Sequence, residues 1–253
     1  MSSTSETGHG KNIANFYHLL TLLRRIGTPY NPSVVAIQLA QLENLYTDVS
    51  NANALVHSSF VALSQAAAVR NVSFQPLSAL VTRAYNAFKV SGVPQPLIDS
   101  AKPFVMKIRG QRVSAKIKTD AVQATDGATT ADPVIPTPKQ NSVSQVSFDS
   151  LLDNFDKFIN ILEYSTDYKP NEEQLKANYL SSRYNTMNAE NKLVMDAQVV
   201  INTYRFNRQK IMYDPETGLL AQTTKVKVYL KSVFGTSSDE FKQASKLTFT
   251  KLN

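Results

Sequence analysis

The side chains able to do chemistry are few in this chain. His9, His18 and His57 are its only imidazoles, and it has no cysteine, which excludes disulfides, thiolate metal sites and cysteine nucleophiles together. His18 and His57 have no carboxylate or second histidine three or four residues away, so neither a metal site nor a catalytic triad has sequence support. "GHGKN" at 8–12 lacks the preceding strand and the spacing of a phosphate-binding loop. Asp149, Asp153 and Asp156 fall on one face of a helix at i, i+4 and i+7, where the ordinary explanation is favourable charge near a helix N-terminus. "TYRFNRQK" at 203–210 interleaves aromatic and basic residues like a nucleic-acid stacking surface. On a helix, however, consecutive side chains diverge by about 100°, and the expectation is core aromatics beside a solvated basic stripe.

One charged stretch stands out. Lys102, Lys107, Arg109, Arg112, Lys116 and Lys118 follow one another with no acid between them, a block of +6. Residues 149–173 hold seven acids against Lys157 and Lys169, a block of −5, within a chain of net charge +7. The basic arm could contact phosphates without sequence specificity, meet the acidic face of its own or a neighbouring chain, or remain solvated. No cofactor, metal or small-molecule substrate is implied.

These residues need elements to hold them. Hydrophobic content of 42% and charged content of 19% fit a folded globular chain of 253 residues. The start of the chain lacks the pattern of a secretory signal, and the apolar run near "FYHLLTLL" is stopped by Arg24 and Arg25, so the expectation is a cytoplasmic protein without a membrane span. Apolar residues at Val35, Leu39, Leu42, Tyr46, Val49, Val56, Phe60, Leu63 and Ala67 alternate spacings of four and three, with Asn53 as the polar interruption. That is an a/d stripe, which predicts a long helix over 33–72. Shorter helices are predicted before it and near 77–91 and 219–233, stopped at Gly92 and Gly235. "VMKIRGQRVSAKIK" at 105–118 and "KLTFTKL" at 246–252 alternate with period two, which suggests a short β-arm.

The chain also resembles itself. Setting 30–70 against 168–208, an offset of 138, gives nine identities: Tyr30, Pro32, Leu42, Tyr46, Asn53, Leu55, Val56, Val61 and Arg70. Chance would give roughly two or three, so the match reads as an internal repeat. The expected organisation is an N-terminal tail at 1–11, a helical repeat at 12–109, a basic arm and flexible linker at 110–147, and a second helical repeat at 148–253. The linker expectation rests on "VQATDGATTADPVIPTPKQNSVSQ", which is almost free of large hydrophobes. The fold class is all-α, two tandem helical bundles.

With "FDSLLDNFDKFINIL", "YKPNEEQLK", "NRQKIMYDPETGLL" and "VYLKSVFGTSSDEFKQASKLTFT", the second half resembles a set of uncharacterised, internally duplicated helical proteins of bacteria. The resemblance is looser over "KIRGQR" and the first half. It implies a bacterial origin and a recurring architecture, and supplies no catalytic residue. The function expected from all of this is non-enzymatic: a structural or protein-interaction module that associates with itself into an oligomer or filament. The alternatives are a basic protein that binds nucleic-acid phosphates, or an enzyme with a site between the two repeats that the sequence does not reveal.

Overall fold

A computed structural model describes residues 7–111 and 147–252. Within them the backbone is helical, in the order α1 (Thr7–Ile26), α2 (Leu39–Phe74), α3 (Leu77–Val90), α4 (Gln95–Ile108), α5 (Phe148–Tyr164), α6 (Ala177–Tyr213), α7 (Leu219–Phe234) and α8 (Asp239–Lys246). A 3₁₀ turn precedes each long helix, Val35–Ile37 before α2 and Glu173–Leu175 before α6, and the two turns are 138 residues apart. No described helix is long and apolar enough to cross a membrane.

Local chemistry explains the boundaries. Gly27, at φ +70°, ends α1 by sending its amide to the Leu23 carbonyl, a left-handed conformation that costs a glycine nothing. Ser147 and Ser238 cap α5 and α8, each hydroxyl accepting the amide three residues on. The long helix begins at Leu39, because Pro32 and the 3₁₀ turn occupy the residues ahead of it.

The chain divides into two compact units that do not follow the sequence halves. Unit 1 comprises residues 1–66 and 194–253, and unit 2 comprises residues 67–193. Both long helices pass from one unit to the other. The core of unit 1 joins Phe16, Leu20 and Leu42 from the first half to Met212, Val226 and Leu230 from the second. The core of unit 2 joins Val81, Phe88 and Val105 to Phe155, Leu162 and Leu180. Each core is therefore closed by helices from both halves, whereas the expected division at 12–109 and 148–253 keeps each half to itself.

Three local expectations change. The β-arm is not seen: Val105–Ile108 form the last turn of α4, where Val105 and Ile108 are buried at helical spacing, and no strand occurs among the described residues. Residues 112–118 of that arm, with the 119–145 linker, lie outside the described residues. At the C-terminus, 247–252 is neither helix nor strand and is held by the Asn12 side chain, which donates to the Thr250 carbonyl at 2.8 Å and accepts its amide at 3.0 Å. The expected tail is helical from Thr7, and buried His9 places its ring 5.8 Å from that of Tyr213. The a/d stripe of α2 is buried at Leu42, Val49 and Val56 but not at Phe60, where the covered face has moved to Ser59, because a straight helix of 3.6 residues per turn drifts off a strict heptad.

Candidate interaction surface

The predicted basic arm contributes Lys102 and Lys107 to α4 and Arg109 to its C-cap, with Lys102 and Arg109 exposed. Arg112, Lys116 and Lys118 lie outside the described residues. α4 packs against α5, which carries Asp149, Asp153 and Asp156. The two charged sets thus sit on neighbouring helices of unit 2, yet no described ion pair joins them. Each carboxylate has a nearer donor instead. Asp153 pairs with Lys157 at 2.6 Å, Asp156 accepts the Asn160 amide at 3.2 Å, and Asp149 accepts the Asn191 amide at 2.7 Å. For Asp153 and Asp156 the partner is the helical neighbour one turn away, and an exposed i,i+4 ion pair such as Asp153–Lys157 contributes about 0.3–0.5 kcal/mol, whereas Asp149 is held from α6 by Asn191.

Asn191 belongs to a buried polar cluster in unit 2. Its side-chain oxygen accepts from Arg70 Nη1 at 3.0 Å, and the Arg70 guanidinium stacks 3.8 Å above the Phe148 ring. Unit 1 holds the counterpart, with Arg208 Nη1 donating to Asn53 at 3.1 Å. Arg208 is Arg70 advanced by 138 positions, and Asn191 is Asn53 advanced likewise. The polar interruptions of the two apolar seams are thus each matched by an arginine from the other half. Spacing alone could find the asparagines but not their partners.

That pairing overturns the expectation for "TYRFNRQK". Arg208 is 3% exposed, and Phe206 is 70% exposed. Two residues along a helix turn the side chain by about 200°, so when Arg208 faces Asn53 inside the unit, Phe206 must face out. Phe206 continues a stripe with Met195 and Val199, at i, i+4 and i+11, which are 47% and 65% exposed. Asn202, at i+7, is the polar member of the same face. The stripe lies wholly on the unit 1 part of α6, opposite buried Ile201 and Arg208. A sequence pattern weighted toward buried seams passes over it, since its apolar residues are spaced as a core face is.

Each unit also has a cleft among its described residues. In unit 1 a cleft of about 430 Å³ is lined by His18, Thr21, Leu22 and Arg25 of α1 with Gln243 and Leu247. Arg25 donates to the Gln243 side chain at 2.7 Å, and the Thr21 hydroxyl is turned to the Tyr17 carbonyl. In unit 2 a cleft of about 390 Å³ is lined by Ala68, Val69, Val72 and Ser73 of α2 with Arg183 and Glu190 of α6, and Arg183 donates to the Ser73 carbonyl at 2.6 Å. Among the described residues no three metal-ligating side chains converge. Compared with known protein families, with curated proteins and with solved structures, the chain matches none of them.

Proposed function

We propose that the chain is an internally duplicated, non-enzymatic interaction module that associates with copies of itself through the outer face of α6. The observation that carries this reading is the stripe of Met195, Val199 and Phe206, three large apolar side chains held in water beside a core that is already closed. Large apolar side chains aligned on one exposed helix face mark surfaces that another protein covers. One of the nine internal identities supports it further: Val61 and Val199 are the same residue in both halves, and both side chains are exposed. A second copy is the occupant that fits most simply, because an apolar stripe is its own complement across a two-fold axis.

The test is sedimentation velocity on the full chain over a wide concentration range, with Val199→Asp/Phe206→Asp beside it. The expected result is concentration-dependent association of the parent and a monomeric double variant whose thermal midpoint changes little, since both side chains are already in water. A parent that stays monomeric throughout would overturn the reading. A parent that shifts in size only when duplex DNA or RNA is added, and loses that shift as salt rises, would instead favour phosphate binding by the basic residues of α4.

A further inference from the structure

Among the described residues, several contacts between the two halves occur twice, with the halves exchanging roles. Arg70 of the first half holds Asn191 of the second, and Arg208 of the second holds Asn53 of the first. In unit 2 the 3₁₀ turn Glu173–Leu175 rests on α3, and Tyr168 meets Phe88 edge to face at 5.6 Å. In unit 1 the turn Val35–Ile37 rests on α7, and Tyr30 meets Tyr229 edge to face at 5.4 Å. α4 packs on α5 in unit 2, and α8 packs on α1 in unit 1. Reciprocal contacts, in which residue i touches j and the equivalent of j touches the equivalent of i, are the signature of an isologous dimer. Here they occur inside one chain.

We infer that the two halves, 7–111 and 147–252, behave as the subunits of a dimer, and that the partner each half accepts is the opposite half of any copy of this chain. The half-to-half interface is the pair of cores, with the two arginine–asparagine contacts setting its register. Both halves contribute fully buried side chains to both cores, so neither unit closes without the other half. The same pairing made in trans, half one of one molecule with half two of the next, closes the same two units with the same contacts. The chain thereby assembles by exchange of halves, a route separate from the α6 stripe: it uses the cores, and either can occur without the other.

Complementation between two damaged full-length chains tests this, in a Val199→Asp/Phe206→Asp background so that the α6 stripe does not contribute. One chain carries Leu42→Asp and Phe88→Asp, which damage half one in both units. The other carries Leu180→Asp and Leu230→Asp, which damage half two in both units. Refolded together from denaturant, they are expected to yield a one-to-one complex, with helical circular dichroism and a cooperative melt that neither shows alone. Two chains damaged in the same half serve as the control and are expected to recover nothing. A mixture that equals the sum of its separately refolded components would overturn the inference. As a second readout, undamaged chains carrying donor or acceptor dyes are refolded together at high concentration in the same background. The expected result is a dimer fraction with energy transfer that persists on dilution; monomer alone at every concentration would overturn the inference as well.

Discussion

Tyr30 and Tyr168 show how a single side chain joins a turn to a core. Each ring is buried, and each hydroxyl donates to the carbonyl seven residues on, Ile37 at 2.5 Å and Leu175 at 2.7 Å, which fixes the 3₁₀ turn that launches a long helix. Burial disfavours the phenolate, and a neighbouring charge adds to it: for Tyr168, with Glu172 second to burial, the pKa is pushed up to about 12, and for Tyr30, with Tyr229 second, it rises further. A phenol raised above its unfolded value near 10 contributes stability that is fully present below about pH 10 and lost as the pH climbs toward the folded value. Melting temperatures between pH 8 and 11.5 are therefore expected to fall steeply above pH 10 in the parent and less steeply in Tyr30→Phe/Tyr168→Phe. Equal slopes would show that these hydroxyls are not what the alkaline loss reports. At neutral pH each substitution is expected to cost about 0.5–1.5 kcal/mol, the net value of one hydrogen bond.

At the scale of elements, α2 and α6 are the long members of the fold, 36 and 37 residues. At 1.5 Å per residue each runs about 55 Å, longer than the elements that cover it in either unit. Their inner faces are buried at equivalent positions: Leu42 with Leu180, Val49 with Met187, and Val56 with Val194. Leu42 and Leu180 have no exposed surface, so Leu42→Ala and Leu180→Ala are each expected to lower the unfolding free energy by about 2–5 kcal/mol in urea titrations. A loss below about 0.5 kcal/mol would mean that these positions are not closed core. The outer faces hold the apolar residues that the same heptad arithmetic places beside the seam without saying whether anything covers them.

For the whole molecule, the decisive feature is that each core takes helices from both halves. A protease site engineered between residues 112 and 146 is therefore expected to give a nicked protein whose halves stay together on size exclusion and melt as one complex. Two fragments eluting independently under native conditions would mean instead that each half closes a core of its own, as the tandem-bundle expectation holds. The nick breaks no described contact, so this outcome reports only on how the halves are held.

Much was legible from the sequence because it is local. Helical periodicity and glycine stops depend on residues within a turn or two, and they located α1 to α3 and α7. The offset of 138 paired Asn53 with Asn191 and Arg70 with Arg208 as equivalent positions. The β-arm failed because three or four alternating residues cannot be told from one turn of an amphipathic helix, and burial of Val105 with Ile108 decided it. What the sequence could not contain is which half covers which seam. An apolar stripe is equally satisfied by its own half or by the other, since burial is non-directional. Only the tertiary arrangement, in which Arg208 reaches Asn53 and Arg70 reaches Asn191, selects the interleaved pairing, turns Phe206 outward, and leaves the α6 stripe exposed.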